Sequence, residues 1–158
     1  MGINGCGVSE RMVWSITNGD HVGRWVAERI NGAFHSGSTA IGLERNGNIV
    51  AGVLYEHWNG RSVVAHMAAS GRLTPAYVAA IFDYAFNVCG CHKVILPVAS
   101  TNAKSGKFVR KLGFTQESHI RDASPDGDIV FYTLTKQDCR FLGSTYHRKI
   151  RTVAPSRS

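Results

Sequence analysis

The hydrophobic positions change period several times along the chain. In "DHVGRWVAERINGAF", Val22, Trp25, Val26, Arg29 and Ile30 recur mostly at three- and four-residue spacing. That spacing predicts a helix over 20–34, with Gly32 as its terminator. The next runs, "STAIGLER", "NIVAGVLYEHW" and "RSVVAHMAAS", are separated by Asn46-Gly47 and Asn59-Gly60. Asn-Gly supplies the positive φ angles of a type I′ turn, so these runs predict a three-strand antiparallel meander. The helical period returns in "TPAYVAAIFDYAFNVCG", with Thr74 as N-cap, Pro75 in the first helical position and Gly90 as C-cap. Val78, Ile81, Phe82, Ala85 and Phe86 form the apolar stripe of this second helix.

"HKVILPVAS" then reads as a short buried strand. "TNAKSGKFVRKLGF" reads as a third helix, with Phe108 and Leu112 on one side and Lys104, Lys107, Arg110 and Lys111 crowding the rest. "FTQESHIR" and "DIVFYTLT" are two further strands around "DASPDG", and "KQDCRFL" adds a last helical turn. The strand after the long helix must return parallel to the one before it. The expected fold is therefore α/β, with a mixed, mostly antiparallel sheet and flanking helices.

Composition and charge refine this picture. A chain of 158 residues supports one domain, enough to bury roughly two thirds of its unfolded surface. No apolar run approaches the roughly 20 residues that span a bilayer. The N-terminus has no apolar core of signal-peptide length, so the expectation is a soluble cytoplasmic protein with no membrane partner. Met1-Gly2 resembles a myristoylation start, but Gly7 stands where Ser or Thr is wanted. Cys6, Cys89, Cys91 and Cys139 lack the paired spacing of a zinc site and read as reduced structural thiols. The net charge is +7, and Arg140, Arg148, Lys149, Arg151 and Arg157 fall in a C-terminal stretch with no acidic residue. This divides the chain into a domain over 8–142 and a basic tail over 143–158, which suits a nucleic-acid partner. Either a monomer or a homodimer, paired through an exposed final strand, is compatible with the pattern.

The order of elements, together with "FDYAFNVCGCHKVILPVASTNAKSGKFVRKLGF", resembles the GNAT superfamily of acyl-CoA-dependent N-acyltransferases. The likeness covers residues 8 to 136, and its most specific part is Asn-x-x-Ser followed by Leu-Gly-Phe. It is especially similar to the branch that acetylates ribosomal-protein N-termini. The resemblance implies that the strands 62–69 and 92–98 splay apart, with Pro97 beside the splay, and that acetyl-CoA or another acyl-CoA enters the gap. It also implies a phosphate site after the first of these strands. The family's loop there is [Q/R]-x-x-G-x-[G/A]; this chain has "SGRLTP" instead, leaving Ser70, Gly71, Arg72 and Thr74 as phosphate partners. Many members carry Tyr where this chain has Val109. The ending "DIVFYTLTKQDCRFL" is similar to phage-encoded GNAT-like proteins, including the Mom type of DNA-modification protein, which implies the host cytoplasm as the place of action.

Acyl transfer to an amine needs a proton acceptor, a polarised carbonyl and a proton for the departing thiolate. The resemblance makes Ser105 the candidate proton donor and Asn102 and Phe108 cofactor contacts. Backbone N–H groups around Met67, Ala68 and Ala69 are the candidates for polarising the carbonyl. Glu56 and His66 are alternative bases, and Asp128 and Glu117 border the cleft; strand alternation puts Glu56 and His57 on opposite faces. Tyr132 is a further possible donor. Two other readings remain open from the sequence: a nucleic-acid-modifying enzyme and a non-catalytic binding module.

Overall fold

The computed structural model describes residues 12–143. The basic tail over 143–158, Gly143 apart, lies outside the described residues, as do Cys6 and the first residues of the expected domain. In chain order the elements are β1 (Trp14–Asn18), α1 (Asp20–Ile30), β2 (Thr39–Arg45), β3 (Asn48–Glu56), β4 (Ser62–Ala69) and α2 (Pro75–Asp83). They continue with β5 (Lys93–Ala99), α3 (Ala103–Lys111), β6 (Thr115–Ser124) and β7 (Gly127–Thr135), ending in a 3₁₀ turn at Arg140–Leu142. Among the described residues no helix is long and apolar enough to cross a membrane.

One sheet runs in the order β1-β2-β3-β4-β5-β7-β6, and among the described strands only β4 and β5 are parallel neighbours. The first hairpin turns at Asn46 and Gly47, both with positive φ, and pairs Arg45 with Asn48, as a two-residue I′ turn requires. Three features depart from the sequence pattern. β1 is an additional edge strand, paired with β2. The second helix widens after Asp83 into π geometry, so that the Cys89 N–H reaches the Tyr84 carbonyl before Gly90 turns the chain with φ +66°. The final strand β7 is interior; the exposed edge belongs to β6, which is interrupted by register shifts and carries mostly exposed polar residues. Such an edge is blunted against pairing with another strand, so it does not offer the flat dimer edge expected of the last strand.

The two faces of the sheet carry separate cores. On one, α1 lies over β2, β3 and β4, where Val22 and Val26 pack with Ala40 and Leu54. Gly52 permits that approach: a Cβ there would stand 2.6 Å from Val26 Cγ2. On the other face, α2 and α3 close the larger core, in which Phe82 stacks on Phe86 and Phe141 and tilts against Phe114. Burial raises the pKa of the Tyr55 and Tyr77 hydroxyls, which stay protonated and donate to the carbonyls of Ile81 and Ile41. Burial likewise pushes up the thiols of Cys91 and Cys139. That keeps them in the unreactive thiol form.

Candidate functional site

β4 and β5 pair only from Ser62–Lys93 to Val64–Ile95, although β4 runs to Ala69 and β5 to Ala99. Beyond that pairing they part, and the sequence accounts for the parting. On β5 the Ser100 N–H reaches Asp128 and the His92 carbonyl accepts from Lys136, so even-numbered residues bond towards β7 and odd-numbered ones face β4. Pro97 is therefore missing its N–H on the side of the gap, where a donor would have held β4.

The same alternation sorts the candidates on β4. The Arg61 carbonyl accepts from His92 and Lys93, while the Ser70 N–H donates to Val50 on β3. Odd-numbered residues thus turn their backbone groups to the gap, and even-numbered ones turn theirs to β3. Met67 and Ala69 present N–H groups to the gap; Ala68 does not, because its amide is committed to β3.

Glu56, the last residue of β3, meets His66 of β4 with Oε2 at 3.2 Å from Nε2. The two side chains are 13% and 23% exposed, so the pair is shielded but reachable. With Glu56 ionised, the bond requires the proton on Nε2 and leaves Nδ1 as acceptor of the neutral ring. Glu56 Oε1 is buried without a hydrogen-bond partner. A lone oxygen of that kind is costly to stability and is met at catalytic sites, at strained sites, or where a water or ion completes the set. The alternatives of the sequence are one pair. His57 has left the strand with positive φ, so alternation does not govern it. Glu56 also borders a cavity of about 440 Å³ walled by Tyr55, Trp58, Tyr84, His35 and Ser38.

Ser105 sits half-buried in the first turn of α3, one turn before Val109, which is 3% exposed and belongs to the core. Asn102 caps this helix: its Oδ1 accepts the Ser105 N–H at 3.1 Å. Its Nδ2 remains the group able to meet a ligand. Asn102→Ala is expected to lower stability by about 1 kcal/mol, read from the denaturant midpoint. Phe108 packs, half-buried, against the main core on the same side.

At the expected phosphate site, Thr74 Oγ1 caps α2 by accepting the Tyr77 N–H at 3.2 Å and keeps its own proton to donate. Ser70 Oγ donates to the Val50 carbonyl, which uses its only proton. Gly71 and Arg72 are exposed. The loop thus offers a hydroxyl, a guanidinium and few backbone donors, since Pro75 has none.

Asp128 does not join Glu56 and His66. It lies at the far end of β7, where His119 Nε2 approaches its Oδ2 at 2.6 Å and the Asp122 N–H meets Oδ1 at 2.8 Å. The His119 bond, then the Asp122 N–H, hold its carboxyl below the usual range. The link is therefore complete above the ordinary carboxylate pKa and is lost as pH falls through the lowered one. Glu117 faces Lys93 at 3.1 Å, and its carboxyl is lowered first by the Thr133 hydroxyl and then by Lys93. The Tyr132 ring is buried beneath α3 at Gly106, with the Arg110 guanidinium 5.5 Å from its centroid. Among the described residues no group of three His, Cys, Asp or Glu side chains is placed to hold a metal.

The sequence matches no protein-family model and no curated protein. Solved structures do resemble the fold. A probable acetyltransferase superposes with a TM-score of 0.55 at 21% identity, covering 62% of this chain and 62% of that one. Mutant forms of the spermidine/spermine N-acetyltransferase SpeG from Vibrio cholerae superpose with a TM-score of 0.64 at 15% identity, over 87% of this chain and 99% of theirs. The Vibrio cholerae spermidine N-acetyltransferase in complex with CoA and spermine gives 0.57 at 19% identity, over 68% and 70%. The fold is the GNAT fold: a mostly antiparallel seven-stranded sheet whose one parallel pair opens into a gap.

Proposed function

We propose that this protein is a GNAT-type acyltransferase that moves an acyl group from an acyl-CoA to an amine. The observation that carries the reading is the β4–β5 gap, with the Glu56–His66 pair joining β3 to β4, the strand that forms one side of it. The donor set fits an acyl-CoA: an open strand edge for the pantetheine arm, with Arg72, the Thr74 hydroxyl and the backbone at Gly71 for its phosphates. The thioester supplies the activated acyl group. The Met67 N–H polarises its carbonyl, and the Asn102 Nδ2 orients the pantetheine amides beside Phe108. His66 Nδ1 accepts the proton lost by the attacking amine, while Glu56 fixes the ring and balances the imidazolium charge. The Ser105 hydroxyl gives its proton to the departing sulfur and is reprotonated from water.

The cavity beside Glu56 suits a cationic amine, since aromatic rings and a carboxylate both attract an ammonium group. Spermidine and spermine, named for the SpeG structures, are therefore the first acceptors to try, followed by peptide N-termini. Acetyl-CoA is the first donor. At a hundred times its Kd it is expected to stabilise the fold by about 2.7 kcal/mol, visible as a higher melting temperature and as heat in calorimetry. No shift and no heat at millimolar acetyl-CoA would overturn the reading; binding without transfer to any amine would leave a CoA-binding module. A second reading, a phage-type enzyme modifying nucleic-acid amines as in the Mom type, is favoured by the cations of α3. Mass spectrometry of host DNA, RNA and protein, with and without the gene expressed, separates the two.

A further inference from the structure

Lys104, Lys107 and Arg110 line one wall of an open groove of about 680 Å³ between α3 and the β6–β7 hairpin. Gln116 and His119 stand on the opposite side, and Val98 and Val130 contribute apolar floor. Among the described residues no carboxylate lines it: Asp128 is engaged by His119 and the Asp122 N–H. Among the described residues these three cations, and Lys111 beside them, form none of the ion pairs present. Like charges three and four residues apart repel one another and destabilise a helix that has no partner for them.

We infer that this groove binds the phosphate backbone of a nucleic acid. At a rise of about 1.5 Å per residue, Lys104 to Arg110 spans about 9 Å. That length covers about two to three phosphates, with the duplex rise of about 3.4 Å per nucleotide as the lower limit of their spacing in a single strand. Gln116 and the Ser100 end of β5 add neutral polar groups along the same trench. The aromatic ring in the floor, Tyr132, is 4% exposed and lies under Arg110, so it offers no stacking platform. The contacts are then to phosphate and tolerate any sequence.

Ser105 does not line the groove, and Asn102, proposed above to meet the pantetheine amides, stands at its end, which is why displacement by coenzyme A is part of the test.

Fluorescence anisotropy of the full chain with a labelled single-stranded oligonucleotide of mixed sequence, from about 50 to about 200 mM salt, tests it. The wild type is expected to bind with steep salt dependence. Lys104→Ser, Lys107→Ser and Arg110→Ser together should lower the slope of log K against log salt by about 2, at about 0.7 per lost phosphate contact. The loss should be uniform across oligonucleotide sequences. Lys107→Glu alone, which changes one exposed side chain, should weaken binding in the same direction with an unchanged melting temperature. Absent binding, or an unchanged slope in the triple variant, would overturn the inference. So would loss only when Arg148, Lys149 and Arg151 are replaced, which would move the contact to the tail. Displacement by millimolar coenzyme A would assign the groove to the cofactor, and equal binding of heparin would remove the preference for nucleic acid; either result overturns it.

Discussion

Replacing His66 by alanine is expected to lower kcat for acyl transfer by about 10²- to 10⁴-fold, the range that a positioned general base contributes. In the proposed mechanism the ring takes the acceptor's proton, so the effect should fall on kcat rather than on the apparent affinity for the acyl donor. Fold stability should fall by about 1–3 kcal/mol at the same time, because the shielded Glu56 carboxylate loses His66 as a hydrogen-bond partner, so rates are compared below the melting transition of each protein. Glu56→Gln tests the same arrangement from its other end. A carboxamide retains an oxygen for the Nε2 proton but cannot balance an imidazolium, so the loss should be smaller than for His66→Ala. The measurement is initial rates over acetyl-CoA and amine concentrations for all three proteins. Rates for His66→Ala within threefold of wild type would remove the ring from the mechanism and leave proton transfer to water.

The largest effect on stability is expected from Phe86→Ala. Phe86 is 0% exposed, at the π-shaped end of the second helix, and its ring stacks on Phe82 with centroids 6.3 Å apart. Phe82 in turn touches Phe114 and Phe141, the residues that bring the start of β6 and the end of the described chain into the core. Removing the Phe86 ring leaves a hole that a stack of rigid rings cannot collapse into, which places the cost at about 3–5 kcal/mol. A domain of this kind has only about 5–15 kcal/mol in total. Urea unfolding should show the loss as a lower midpoint with an unchanged slope, and the melting temperature should fall by roughly 6–20 °C. A loss under about 1 kcal/mol would mean that the helix end repacks and that the aromatic stack is not the rigid unit described.

Local chemistry made much of the fold legible. The Asn46-Gly47 turn, the Thr74-Pro75 start of α2 and the Asn102 cap of α3 each act through a few adjacent atoms, and each forms where its residues indicate. The parting of β4 from β5 was legible through the family resemblance and through Pro97. Less legible was β1: WSITN alternates, but five residues beside no turn signal carry little weight until β2 is there to pair with them.

The Glu56–His66 pair was hidden by register. A two-residue turn at Asn59-Gly60 would set Glu56 opposite Val63 and put His66 on the other face of the sheet. The observed hairpin is longer: Asn59 Oδ1 accepts the N–H groups of both Arg61 and Ser62, His57 takes positive φ, and Glu56 pairs with Val64. One residue of slip turns every side chain over. It is this slip that brings His66, opposite Leu54, next to Glu56. The His119–Asp128 contact was hidden in the same way, by the register shifts within the β6–β7 hairpin.

The short pairing of β4 with β5 has a mechanical meaning. β1 to β4 with α1 form one jaw, and β5 to β7 form the other; among the described residues the backbone bonds between the two strands that meet, β4 and β5, are confined to the pivot at Arg61–Val64 and His92–Ile95. Widening the jaws breaks no strand-to-strand bond, because none exists past the pivot, and the load falls on the aromatic stack that fastens α2 beneath both. The geometry is that of a pair of tongs, joined at one end and parted at the other.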